Sequence, residues 1–225
     1  MYFDPTYLIL LPALLLAFWA QARVNSAYGR YSRVASALSG EEAARQVLAL
    51  NGVTGVEIRP VAGKLTDHYD PQTNTIYLSQ GVYAARTVAA AGVAAHEAGH
   101  AVQYAMGYGP IRLRTAIIPV TRLGSGLSWP LFLVGLVLGS EPLAMAGVVL
   151  FCAVVAFQLV TLPVEFNASN RALAALEDCG CCSAEEVDGA GVVLRAAAMT
   201  YVAALAQSLA QLLRLLTIAN RSRRD

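Results

Sequence analysis

Charged residues are scarce in this sequence: they make up 14% of its 225 residues, whereas soluble domains typically carry about 25%. Hydrophobic residues reach 56%. A chain of this size cannot bury so much apolar surface in a water-soluble body, so we expect part of it to lie in a lipid bilayer. The composition excludes a disordered chain and a coiled coil. The formal net charge is only +1 and no large basic cluster occurs, which argues against a nucleic-acid partner.

The sequence also contains only four cysteines and three histidines. Cys152 lies in an apolar run and is predicted to be a small buried residue. Cys179, Cys181 and Cys182 fall within four residues, and because neighbouring cysteines rarely pair with each other, no disulfide framework is expected. These three thiols could hold a second, structural metal ion, although no fourth ligand follows nearby.

Long uncharged stretches predict where the chain enters the membrane. Residues 6–22 carry no charge and are just long enough to cross a hydrocarbon core of about 30 Å. The alternative, a cleaved signal peptide, lacks the basic residues that normally precede such a run. Residues 116–139 and 142–163 predict two transmembrane helices joined by a hairpin, with a buried soluble hairpin as the alternative. Residues 196–213 either span the membrane or lie in its interface.

Arginines near the ends of these spans predict the orientation, because such residues favour the cytoplasmic side. The segment between the first two spans holds most of them: Arg23, Arg30, Arg33, Arg112, Arg114 and Arg122. Residues 23–115 are therefore predicted to face the cytoplasm, with the N-terminus and the 140–142 hairpin outside. The basic tail of Arg221, Arg223 and Arg224 also favours the cytoplasm, which conflicts with a full fourth crossing.

The predicted cytoplasmic segment contains signals for a helix and a small sheet. Ser39 is predicted to cap a helix, with Glu42 completing a capping box. Residues 56–58 and 75–78 predict two strands that pair with each other. The second strand, which includes Thr75, Ile76 and Tyr77, is expected to accept a further extended chain along its edge.

A second helix, predicted from Thr87 to Met106, carries a pattern typical of zinc hydrolases. His96 and His100 are four residues apart and therefore lie on one face of the helix, where two imidazoles can bind one metal ion. Glu97 follows the first histidine, at the position where a carboxylate acts as general base in His-Glu-x-x-His peptidases. The pattern predicts one zinc ion per chain, with a third protein ligand and an open position for water.

Two residues are candidates for the third ligand. Glu165 follows the third span on what is predicted to be a new helix after Pro163. A carboxylate at the lipid boundary costs free energy unless it is paired or binds a metal ion, so we interpret it as a functional residue. Ser169 lies one helical turn later and could support a ligand, whereas pairing of Glu165 with Arg171 is the structural alternative. His68 competes with Glu165, orients substrate, or is simply an exposed turn residue.

Several of these segments together resemble the membrane zinc metallopeptidases of the YugP type, which are similar to the gluzincin peptidases of the HtpX kind. The resemblance rests on HEAGH at 96–100, DPQTNTIYLS at 70–79, the two-span hairpin and EFNASNRAL at 165–173. It implies that Glu165 is the third ligand. Relatives carry an acidic residue at the position where this chain has Ser169. They also carry a further histidine near the substrate oxyanion, and in this chain only Arg171 or Tyr201 could take the place of that histidine.

We therefore predict a mainly α-helical integral membrane protein with three to four transmembrane helices and a small zincin-like α+β domain facing the cytoplasm. Its predicted activity is zinc-dependent cleavage of peptide bonds in membrane or membrane-associated proteins at the cell membrane. A non-catalytic scaffold, or a metal or redox sensor with a structural metal site, is the alternative. The predicted segments are an anchor at 1–22, the domain at 23–115, a hairpin at 116–163, the third-ligand helix and loop at 164–195, and a last helix with a basic tail at 196–225.

Overall fold

The protein is mainly helical, as the computed structural model shows for the residues it describes, 4–222. A short 3-10 helix, Pro5–Ile9, precedes seven α-helices and three strands in that range. The helices are α1 (Leu11–Tyr31), α2 (Gly40–Leu50), α3 (Gln80–Tyr83), α4 (Val88–Ala105), α5 (Gly109–Val137), α6 (Glu141–Asp178) and α7 (Ala184–Ser222). The strands are β1 (Glu57–Val61), β2 (His68–Asp70) and β3 (Thr75–Ser79).

The chain divides into two compact units, which we describe separately. The first, here called the apolar unit, comprises Met1–Ala20, Arg112–Leu162 and Thr200–Asp225. The second, here called the site unit, comprises Gln21–Ile111 and Pro163–Met199.

Three helices in the described range are long and apolar enough to cross a membrane: α5, α6 and the part of α7 from Ala184 to Arg221. The predicted first span at 6–22 is not among them, and its residues are divided between the 3-10 helix and the first part of α1. The helix predicted to begin after Pro163 is instead a continuation of α6, since proline is tolerated inside helices of this kind. The borderline span at 196–213 lies within α7.

Small residues allow the helices of the apolar unit to pack closely. A Cβ atom at Gly135 would clash with the backbone of Ala144, so α5 and α6 meet there with almost no side-chain volume between them. The buried face of α6 includes Ala144, Val148, Phe151 and Val155. Cys152 falls outside that face and is exposed, so the prediction that it is buried was wrong.

One end of the apolar unit is tied together by a buried arginine of α7. The Nε atom of Arg214 donates a hydrogen bond to Thr6 Oγ1 at 3.1 Å, and its Nη2 lies 3.6 Å from the Asp4 carboxylate. Its guanidinium also lies 4.0 Å from the centre of the Tyr7 ring. Ala219 lines a small cavity with hairpin residues such as Ser140, so the N-terminus, the hairpin and the end of α7 share this end. Of the basic tail, Arg223 and Arg224 lie outside the described residues.

In the site unit, the local signals predicted from the sequence are confirmed. Ser39 Oγ accepts a hydrogen bond from the Glu42 backbone N–H, and the Glu42 carboxylate accepts one from the Ser39 backbone N–H, which completes the capping box of α2. Thr87 caps α4 by accepting from Ala90 N at 3.3 Å, and Gly107 ends it with a φ of +64°. The buried core lies between α2, the sheet and α4, with α6 and α7 contributing residues such as Leu176 and Leu194.

The strand order of the sheet shows that the prediction of an extended chain pairing with the Thr75 strand was wrong. Its strand order is β1-β3-β2, with β1 parallel and β2 antiparallel to β3. The strand containing Thr75, Ile76 and Tyr77 is therefore central, and Ile76 is opposite Ile58 on one side and Tyr69 on the other. Because both sides of β3 already carry a neighbouring strand, another strand cannot add to it. The free edges belong to β1 and to β2, a three-residue strand that the sequence did not predict.

Candidate metal centre

The metal centre is built where α4 packs against the second half of α6. His96, Glu97 and His100 project from α4, whereas Glu165 and Ser169 project from α6. The helices approach closely because α4 has a glycine at the crossing. A Cβ atom at Gly99 would lie only 2.5 Å from the carbonyl oxygen of Ala168. The crossing therefore brings residues 65 positions apart in the chain to one point.

His96, His100 and Glu165 form the group that could hold a metal ion. Each offers one ligand atom, and these atoms lie within 4.8 Å of one another. Nε2 of His96 is 3.3 Å from Glu165 Oε2, and Nε2 of His100 is 3.6 Å from the same oxygen. Two ligands that each lie about 2.1 Å from a tetrahedral zinc ion are separated by about 3.4 Å. The side chains present therefore fit zinc in both donor type and spacing.

Each histidine is held through its other ring nitrogen. Nδ1 of His96 lies 3.1 Å from Ser169 Oγ, and Nδ1 of His100 lies 3.0 Å from Gln103 Oε1. Because the Gln103 amide oxygen can only accept, the hydrogen-bond network assigns the proton of His100 to Nδ1. Nε2, which faces Glu165, is then the ring nitrogen that must lose its proton when a metal ion binds.

Gln103 belongs to a longer polar chain that sequence reasoning missed. It is fully buried, and its Nε2 donates to the backbone oxygen of Val164 at 2.8 Å and to Asn167 Oδ1 at 3.0 Å. Arg171 donates to the same Asn167 oxygen at 2.8 Å. The alternative in which Arg171 pairs with Glu165 is therefore not what the structure contains. A signal for Gln103 was available, since it lies three residues after His100 on the same face of α4.

Charge and burial act on His100 in opposite directions. Its burial disfavours the imidazolium, but the hydrogen bond to Glu165 and the charge of Glu97 outweigh it, so the pKa of His100 is raised above its ordinary value. Glu165 is buried with only 2% of its surface exposed. A buried carboxylate beside two imidazoles strongly favours a positive charge at their centre, whether protons or a metal ion supply it.

Glu97 lies beside the ligands and contacts the sheet. The backbone N–H of Tyr69 donates to Glu97 Oε2 at 3.0 Å, so this carboxylate faces the β2 strand. A carboxylate that is next to the metal ligands without being one of them has the position required of a general base.

Among the described residues, the other candidates are not members of the ligand group. His68 is exposed on β2, with Nδ1 2.7 Å from Thr66 O and its ring stacked on Tyr77 at 5.0 Å, so it is not part of the ligand group. Arg171 is held by Asn167 and, through Nη1, by Met106. Tyr201 lies on α7 in the apolar unit.

The cysteines near the end of α6 carry free thiols. Cys179, Cys181 and Cys182 form no disulfide, and within residues 4–222 they are not part of any group of three ligands close enough for one metal ion. Burial, with smaller effects from neighbouring Cys179 and Glu186, raises the pKa of Cys182 to about 12.

Comparison with known proteins agrees with this chemistry. A family profile described as "Putative neutral zinc metallopeptidase" matches residues 6–220. The chain therefore belongs to this family of zinc metallopeptidases. It is 48% identical over 208 residues to the Bacillus subtilis (strain 168) protein named "Putative membrane protease YugP", and the alignment covers 92% of each chain. No solved structure matches the chain. The relative and the three apolar helices indicate that this protein associates with a membrane.

Proposed function

We propose that this protein is a membrane zinc endopeptidase that hydrolyses peptide bonds of membrane or membrane-associated proteins. The observation that carries this proposal is the convergence of His96, His100 and Glu165 on one point with Glu97 beside them. Only three ligand groups gather there among the described residues, which leaves a coordination position for water or substrate. A structural or sensory site would be expected to close with a fourth ligand, so the geometry favours the enzyme over the scaffold.

In this proposal, His96 and His100 bind one zinc ion through Nε2, and Glu165 binds it through a carboxylate oxygen. Ser169 and Gln103 act through the histidines by fixing the orientation of their rings. The bound ion supplies Lewis-acid polarisation of the scissile carbonyl and makes the attacking water more acidic.

Glu97 then performs the proton transfers. Its carboxylate accepts a proton from the attacking water and afterwards delivers that proton to the nitrogen of the leaving amine. The hydrogen bond from Tyr69 orients the carboxylate while leaving its second oxygen for the proton. The proton balance closes within one turnover, because one carboxylate serves as base and then as acid.

The strand next to the site suggests how the substrate is held. β2 pairs with β3 on one side only, and Tyr69 of β2 reaches Glu97. We therefore place an extended substrate beside β2 rather than along β3. From the arginines that flank the apolar segments, we place this site at the cytoplasmic face of the cell membrane.

The test combines zinc content with peptidase activity for the purified full chain. We expect about one zinc per chain and measurable cleavage of an unfolded protein substrate for the wild type. Glu97→Gln should retain zinc and lose cleavage, whereas Glu165→Ala should lose both. Glu177→Ala, an exposed carboxylate on the same helix, serves as the matched control and should retain both. Cleavage by Glu97→Gln at the wild-type rate would refute the assignment.

A further inference from the structure

The apolar unit contains a groove that the proposed catalysis does not use. It has a volume of about 460 Å³ and lies between the start of α1, the middle of α6 and the second half of α7. Three glutamines line it, Gln158 from α6 with Gln207 and Gln211 from α7, together with the small residues Ala13 and Ala204. We call this surface the glutamine groove.

The three amides of the glutamine groove have no hydrogen-bond partner among residues 4–222. The Nε2 atom of Gln211 is buried and makes no hydrogen bond there, and neither Gln158 nor Gln207 has one. The neighbouring Ser208 differs, because its hydroxyl donates to Ala204 O at 3.0 Å. Among the polar residues that line the groove, the amides are therefore the ones without a partner within residues 4–222.

Amides without hydrogen-bond partners cost free energy when they are surrounded by lipid. Gln158 lies inside the uncharged run at 142–163, and Gln207 and Gln211 lie inside the run at 196–213, so a membrane crossed by these two helices surrounds the amides with few groups that could form hydrogen bonds. Transfer of an amide from water to a medium without hydrogen bonds costs about 4–8 kcal/mol. Lipid chains offer neither donors nor acceptors, so an acyl chain in the groove would leave this cost in place.

The spacing of the amides indicates which shape of partner could form hydrogen bonds with them. Gln207 and Gln211 are four residues apart and therefore lie on one face of α7, separated by about 6 Å along the helix axis. A helix lying along α7 would meet them one after the other. The alanines at Ala13 and Ala204 leave room for its backbone to approach closely.

We propose that the glutamine groove binds a transmembrane helix of a partner protein, one that carries amide or hydroxyl side chains a helical turn apart near its midpoint. Such side chains donate to and accept from the groove amides, and interhelical hydrogen bonds of this kind hold helices together in lipid. This inference does not depend on the proposed peptidase activity.

The test uses the full chain in phosphatidylcholine vesicles and a defined probe. The probe is a synthetic helix of Leu and Ala with terminal lysines and two central Asn residues four positions apart, and the comparison helix has Leu at both positions. Energy transfer between a fluorophore on the protein and one on the peptide measures association. We expect the Asn helix to bind about tenfold more tightly than the Leu helix.

Two sets of variants test whether the probe helix binds at the glutamine groove or elsewhere on the lipid-facing surface. The double substitution Gln207→Leu with Gln211→Leu should reduce binding of the Asn helix to the level of the Leu helix. Ser125→Leu, which removes an exposed hydroxyl of α5 outside the groove, should leave binding unchanged. Thermal unfolding of each variant reports that it is folded. Equal binding of both helices, or equal loss in the Ser125 variant, would overturn the proposal.

One further measurement identifies a different occupant. If the protein alone forms dimers in the same vesicles, and the double variant is monomeric, a second copy fills the groove and the partner helix is refuted. A monomer in both cases, together with selective binding of the Asn helix, supports the proposal as stated.

Discussion

A single methyl group at position 99 should disable the metal centre. The Cβ of Gly99→Ala would lie 2.5 Å from the carbonyl oxygen of Ala168, whereas ordinary contacts begin at 3.4 Å. The neighbouring atoms are backbone of α6 and cannot rotate away, so α4 and α6 must separate by about 0.9 Å. This displacement acts directly between the histidines of α4 and Glu165 of α6.

The displacement is large compared with the tolerance of a zinc site. The distance of 3.3 Å between His96 Nε2 and Glu165 Oε2 would approach about 4 Å, whereas zinc–ligand bonds tolerate changes of about 0.2 Å. We expect zinc affinity to fall by about 100-fold or more, with a similar loss of peptidase activity. Overpacking of this kind also costs about 1–3 kcal/mol of stability.

The assay is competition for zinc with a chelator of known affinity, alongside thermal unfolding of the metal-free protein. Gly29→Ala is the control, because no atom lies within 4 Å of the added Cβ. Wild-type zinc affinity in Gly99→Ala, with an unchanged unfolding temperature, would mean that the helices are not in contact as described. Reduced stability with unchanged affinity would mean that the ligands do not come from both helices.

Three further predictions follow from side chains outside the ligand group. Gln103→Leu removes the acceptor that holds His100 and should weaken zinc binding by about 10- to 100-fold in the same chelator assay, while Glu97→Gln should not weaken it. Thr6→Val leaves Nε of the buried Arg214 without its acceptor and should lower the free energy of unfolding by about 1–3 kcal/mol, measured in detergent; an unchanged value would contradict the described contact. Because the pKa of Cys182 is about 12, nearly all of this thiol is protonated at pH 8. Its alkylation by iodoacetamide, followed by peptide mass spectrometry, should be much slower in the folded than in the denatured chain, and equal rates would argue against its burial.

The features that the sequence predicted well are those with local signals. The caps at Ser39 and Thr87 and the stop at Gly107 depend on residues within one turn of the helix end, so the bounds of α4 were predictable. The placement of His96 and His100 on one face follows from the helical period alone. The structure then brings Glu165 to the same point.

The features that were missed depend on contacts between distant segments. β2 has three residues and no alternation of its own, so its existence depends on pairing with β3. The pairing of β1 with β3 was predicted and is confirmed, but the central position of β3 depends on β2, so it could not be predicted from the two predicted strands alone. Asn167 acquires its role only because Gln103 is packed against α6.

The hydrogen bond from the Tyr69 amide to Glu97 gives this protein an internal reporter. The donated hydrogen exchanges with solvent only when the bond opens, so the exchange rate at one backbone position measures how tightly the carboxylate is held. A bound inhibitor that draws Glu97 toward itself would accelerate exchange at Tyr69, while one that presses β2 against α4 would slow it. Isotope exchange at a single amide can therefore distinguish two classes of ligand without any measurement of catalysis.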